Sequence, residues 1–230
     1  MHWVGELHNR YRGRAIWIAG SDPTLEEYPD NFFDDKLSIT LHLAFIKFPS
    51  ATYRYFNERD RLVFLKEKYP EILNMENIYA YPFYRRTIEE SEEATEGTER
   101  SHYVNLKHYP PDGNSADIFN DKGPAAMRAM VRDALYATNL TFGDHGTCLH
   151  ACMYVAIMMG CNPINIIGCG FGAVSGKEHF GVANEIDRGM RPNTPSFTGY
   201  RGDRMTRGLD AIIAGCKDNG IVVNRFNAYK

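Results

Sequence analysis

The sequence predicts an α/β fold: a Rossmann-like three-layer sandwich with a mostly parallel sheet and a lid-like insertion. Three observations predict it. Short apolar bursts alternate with helical stretches along most of the chain, and alternation of this kind builds a parallel sheet covered by helices on both faces. The first clear burst, Arg14–Gly20, runs straight into the helix-start pattern Ser21-Asp22-Pro23-Thr24. The stretch Asp144–Phe171 reads as polar turn, buried helix, tight turn, buried strand and glycine-rich loop. A glycine pair just past the carboxyl end of such a strand lies where open α/β sheets take their ligands.

Each element follows from its residues. Arg14–Gly20 is the first strand, and Pro23 suits the first turn of the helix after it, with Ser21 or Asp22 as cap. Lys36–Phe45 reads as the second strand, which would put Thr40 and His42 on one face and Leu41 and Leu43 on the other. Pro49–Tyr69 has a helical pattern, and Asn77–Tyr81 reads as a third strand. Residues 82–120 are expected to form the insertion or lid, because they hold the acidic low-complexity run Glu89–Glu99. Pro124–Tyr136 is a helix that starts on proline. Cys148–Met159 is a buried helix stopped by Gly160, a residue that tolerates positive φ, and Pro163 cannot continue it. Ile164–Ile167 is short and β-branched, as a strand covered on both faces should be. Residues 172–202 are polar and are expected to cover a ligand. Asp203–Asp218 is helical, Gly220 breaks it, and Ile221–Asn224 is the last strand. There is no internal repeat, and 230 residues suit a single domain, 1–230.

Composition excludes several classes of function. Hydrophobic residues make up 43% and charged residues 24%, as in ordinary globular proteins. A net charge of −3 gives no basic field for nucleic acid or an anionic membrane. No apolar run approaches the ~20 residues of a membrane span, and the polar start lacks a signal-peptide core. The cysteines are Cys148, Cys152, Cys161, Cys169 and Cys216, without a paired CxxC, which fits buried reduced thiols in the cytoplasm. Cys148, Cys152 and His150 lie close enough in sequence to raise a zinc site, yet lack its ligand spacing. A homo-oligomer is the common case for such a domain.

The residues expected at the sheet rim are Gly20, Ser21 and Asp22 in the first turn, Thr40 and His42 near the end of the second strand, His145, Gly146 and Thr147 at the start of the buried helix, and Gly168, Cys169, Gly170 and Phe171 after its strand. Free N–H groups at a helix start attract anions, which favours 144–147 for direct ligand contact. An acidic Asp22 argues against close phosphate contact in the first turn unless a cation bridges. Asp144 and His145 beside Cys148 also suggest a thiol–imidazole pair, since a helix N-terminus lowers a thiol's pKa. A packed cysteine is the plainer reading.

Three islands of this sequence resemble a known group. Ala19-Gly20-Ser21-Asp22-Pro23-Thr24-Leu25 resembles a degenerate form of the GNGPSL turn that opens the CMP-sialic-acid-dependent sialyltransferases of the Campylobacter type, and the related archaeal pterin diphosphokinase-like family. Gly146-Thr147 with the following helix, then Ile164–Phe171, resembles the group's second signature, which ends in a G-x-D loop. Gly220–Asn224 resembles its terminal strand. Here Ser21 stands for the asparagine of the first turn, Asp22 for its second glycine and Gly170 for the loop acid.

The resemblance implies a nucleotide-linked small-molecule substrate held by the first turn, Thr147 and the 168–170 loop, with no tightly bound cofactor. It further implies His179 as general base on an acceptor hydroxyl, Tyr200 or Tyr154 bonded to the departing phosphate, and Arg188 or Arg191 neutralising it. The diphosphokinase branch implies instead Mg²⁺ held by carboxylates, for which Asp22, Asp144 and Asp187 are the candidates. A third reading is a non-catalytic ligand-binding protein on the same fold.

Overall fold

The computed structural model describes residues 2–81, 87–98, 100–108, 122–138, 141–144, 147–170, 180–181, 183, 185–186 and 200–226, with backbone alone at 81, 105–108, 122–124, 141–144 and 200–204. The described strands are β1 (His2–Trp3), β2 (Ile16–Ala19), β3 (Ser38–Leu41), β4 (Tyr53–Phe56), β5 (Asn77–Tyr81), β6 (His102–His108), β7 (Thr141–Asp144), β8 (Ile164–Ile167) and β9 (Val223–Phe226). The described α-helices are α1 (Arg59–Lys68), α2 (Ile88–Thr95), α3 (Lys122–Tyr136), α4 (Cys148–Met158) and α5 (Tyr200–Asp218).

All described strands pair in parallel in one sheet. The order is β1-β6-β5-β4-β3-β2-β8-β9, and β7 also pairs with β6. β1 pairs with the first residues of β6 and β7 with its last four, so the two short strands share one edge position. From β2 the chain steps outward through β3, β4, β5 and β6. It then returns through α4 to place β8 on the other side of β2, in the register Ile16↔Ile164 to Ala19↔Ile167. The direction of winding reverses between β2 and β8. At such a switch point the connections leave in opposite directions and open a crevice at the strands' carboxyl ends.

Strand alternation sorts the side chains into two cores. Ile16, Ile18, Ile39, Leu41, Tyr53, Tyr55, Ile78, Ile164 and Ile166 face α3, α4 and α5. Helix α4 is buried all round, which is why its sequence lacks a polar face. The opposite core holds Ala19, Phe56, Tyr79 and Ile167 with Leu25, Phe33, Phe45, Phe48, Leu62 and Leu65, under 3₁₀ turns and α1. Helix α4 ends on Gly160 at φ +76, the left-handed residue expected there.

Five expectations need correction. The second strand stops at Leu41, and His42 opens a 3₁₀ turn with φ +46. Thr40 and His42 therefore do not share a strand face. Pro49–Tyr69 is not one helix: Tyr53–Phe56 forms β4 between β3 and β5, and helix begins only at Arg59. The stretch expected to be a lid supplies part of the framework. Its acidic run is α2, with a capping box between Thr87 and Glu90, and 102–108 are β6, flanked by β5 on one side and β1 and β7 on the other. Asp144 closes β7 rather than opening a turn. The last strand begins at Val223, two residues later than expected. Among the described residues no helix is long and apolar enough to cross a membrane.

Candidate functional site

The crevice is built by the segments that leave β2, β3 and β8 at their carboxyl ends. Gly20 follows β2 and donates its N–H to the Ile167 carbonyl at 3.0 Å, and Asp22 N–H donates to Gly168 O at 3.0 Å. A β-carbon on Gly20 would lie 2.2 Å from Gly168 O and 2.6 Å from Cys169 Sγ. The two backbones touch, so only glycine fits at position 20. Gly168 has φ +59, and a β-carbon there would meet the Leu25 side chain at 2.6 Å. The first turn and the 168–170 loop thus form one unit at the switch point, as their sequence pattern suggested.

Asp22 is buried and acts as a helix cap. Its Oδ1 accepts from Thr24 N–H at 2.9 Å and from Thr24 Oγ1 at 2.8 Å. Its Oδ2 lies over Gly170, 2.7 Å from where a β-carbon would be. A side chain at 170 would displace that carboxylate. The acid of this rim therefore comes from the first turn instead of from the 168–170 loop. Ser21 is half-buried, and its carbonyl accepts from Phe180 N–H at 2.9 Å; Gly181 N–H donates to Glu26 Oε1 at 2.7 Å. Phe180, Ala183 and Ile186 are buried in the same core as Leu25. The chain that follows the 168–170 loop therefore comes back onto the first turn at Phe180.

The third wall is the start of α4. Strand β7 is parallel to its neighbours and ends at the carboxyl edge, so a helix beginning at Cys148 begins at that edge. Thr147 caps it, its Oγ1 accepting from Leu149 N–H at 3.3 Å. His42, just past β3, lies with Nε2 2.7 Å from Cys148 Sγ. The Cys152 thiol, one turn into α4, feels both Cys148 and Cys169, and burial above all pushes it well above the ordinary thiol range. The start of α4, the end of β3 and the 168–170 loop therefore meet beside the first turn.

The remaining expected residues sort as follows. Thr40 is fully buried, its hydroxyl bonding to the Tyr53 carbonyl at 3.4 Å. The Cys169 thiol packs beneath Gly20 and is pushed up to about 12 by burial. Tyr154 does not face the crevice: it is fully buried in α4 and donates to Met127 O at 3.2 Å, which corrects its expected role on a phosphate. His150 is equally buried and bonds to Met205 O at 3.1 Å, away from any joint site with Cys148 and Cys152. Among the described residues no group of three or more His, Cys, Asp or Glu side chains is placed to hold a metal ion. His145, Gly146, Phe171, His179, Asp187, Arg188 and Arg191 lie outside the described residues, as do the side chains of Asp144 and Tyr200. The His42–Cys148 contact was missed because its partners are 106 residues apart. The sequence pointed to His145, the neighbour in the chain, and carries no signal for the distant partner.

These features define a Rossmann-type α/β architecture with its switch point between β2 and β8. Among solved structures the chain is similar to the sialyltransferase CstII from Campylobacter jejuni in complex with the substrate analogue CMP-3FNeuAc, with 15% identity over 92% of this chain and 80% of that one and a TM-score of 0.52. CstII in complex with cytidine-5'-monophosphate gives 15% identity over 94% and 81%, with a TM-score of 0.49. No family model and no curated protein sequence matches the chain.

Proposed function

We propose that this chain is a glycosyltransferase that moves a sugar from a nucleotide-activated donor of the CMP type to a hydroxyl acceptor. The observation that carries this reading is the junction of the first turn, the 168–170 loop and the start of α4 at the switch point of an all-parallel sheet. Helix N–H groups and exposed loop backbone at one rim suit a phosphate-linked ligand. The likeness in fold to an enzyme solved with a CMP-sugar analogue supports the same reading. In it, Ser21, His42, Thr147 and Gly170 border the nucleotide. His179 takes the acceptor proton, since an imidazole titrating near neutrality suits that step. Tyr200 and Arg188 stabilise the departing phosphate. The reaction as proposed needs no metal ion.

The test is a thermal-shift series with CMP, CDP, UDP, GDP and ATP, each with and without Mg²⁺. A shift with CMP independent of metal is expected. A shift with ATP that requires Mg²⁺ would move the assignment to diphosphoryl transfer, and silence throughout would leave a scaffold. His179→Ala should then cut turnover about 100-fold or more while keeping the CMP shift. An unchanged rate removes His179 from the mechanism.

A further inference from the structure

We infer that Cys148 and His42 form a nucleophilic pair, and that Cys148 is a site of covalent modification by soft carbon electrophiles. Cys148 is the first residue of an eleven-residue helix capped by Thr147. It is partly exposed, as is Cys169, which packs against Gly20, whereas Cys152, Cys161 and Cys216 are buried. Burial raises the pKa of the other four thiols, with Cys161, Cys169 and Cys216 pushed up to about 12 and Cys152 well above the ordinary thiol range. Among the described residues, Cys148 alone has an imidazole against its sulfur, His42 Nε2 at 2.7 Å, supplied by a separate element of the fold. A thiol with a base in contact and a helix N-terminus behind it has the arrangement of an activated cysteine.

His42 reaches that position through a left-handed backbone, φ +46, which is uncommon outside glycine. It is 7% exposed and is held from the side by the Phe56 ring at 6.2 Å between centroids, so the imidazole is fixed where it meets the sulfur. In the reaction the sulfur–carbon bond forms as the carbon–leaving-group bond breaks. The leaving group departs with its electron pair, and the thiol proton passes to His42 Nε2. The inference does not depend on the nucleotide reading, since it concerns the thiol alone.

The experiment is timed labelling of the folded full chain with limiting iodoacetamide at pH 7, read peptide by peptide, with a short unstructured cysteine peptide as internal reference. Cys148 should label at least about tenfold faster than each of the other four cysteines, and faster than the reference peptide. His42→Asn removes the base with a residue that tolerates the left-handed backbone. It should slow Cys148 about tenfold while the other four stay protected, which shows that the fold persists. If His42→Asn exposes those four, the comparison is repeated on His42→Gln. A wild-type Cys148 no faster than the reference peptide overturns the inference by itself, as does an unchanged rate in a folded His42 variant.

Discussion

The two ends of the sheet each carry a buried histidine, and the contrast between them separates packing from chemistry. At the amino edge, His102 opens β6 among rings: Tyr53 at 6.3 Å and His2 at 5.8 Å between centroids. Tyr53 and Tyr11 share a hydroxyl contact of 2.8 Å, and Ser38 and Thr52 exchange backbone-to-hydroxyl bonds at 3.2 and 3.1 Å. Burial is the main influence on His102 and lowers its pKa, and burial drives the Tyr53 phenol upward. At this end the histidine packs among rings, and burial disfavours its charged form. At the carboxyl edge glycines press together at 20 and 168, and the histidine meets a sulfur. Desolvation alone makes a histidine a structural group. A nucleophile in contact makes it a candidate for chemistry.

The largest way to break this contrast is Gly20→Ala. Its methyl would sit 2.2 Å from a backbone oxygen that cannot rotate away, so the first turn and the 168–170 loop must separate. Overpacking of this severity costs about 3 kcal/mol, read as a lower denaturant midpoint at unchanged slope. Any nucleotide-induced thermal shift should disappear with it. Stability equal to wild type would mean that the two backbones do not touch.

A smaller effect is expected of Asp22→Ala, which removes the cap on the 3₁₀ turn. The loss should be about 1 kcal/mol, the usual value of such a cap, and Asp22→Asn should recover most of it. If Asn recovers none, the charge of Asp22 matters to the rim beyond its hydrogen bonds.

The smallest effect sharpens the amino edge. The His102 pKa is lowered in the folded chain, so above the ordinary value of about 6.5 both states are neutral and it contributes no pH dependence. As pH falls below that value the unfolded chain takes up the proton first, and stability declines until the folded chain titrates too. A melting series from pH 7 to 5 should show this decline, flattened in His102→Gln. An unchanged slope in the variant would show that His102 is not held neutral by its surroundings.

Much of the framework was legible because local physics repeats the global answer. Pro23 and Asp22 mark a helix start, and Asp22 does cap the turn. The largely apolar run after Thr147 is a helix buried on all sides, as read, and Gly160 ends it. Ile164–Ile167 is a strand as read. The missed strands fail for a shared reason. β4 is four residues long, carries the charged Arg54 and is followed by helical residues, so periodicity reads through it. β6 follows an acidic run that reads as solvated until its helix is seen packing beside α1.

By itself, then, the sequence determined the class of fold, the buried helix and strand at its centre, and the glycines where two turns approach closely, because each is a local consequence of residue shape and polarity. Only the tertiary structure decided the order of the strands, the reversal between β2 and β8 and the meeting of His42 with Cys148. These depend on contacts between residues far apart in the chain, for which hydrogen bonding along parallel strands and the packing of two cores are the only specification.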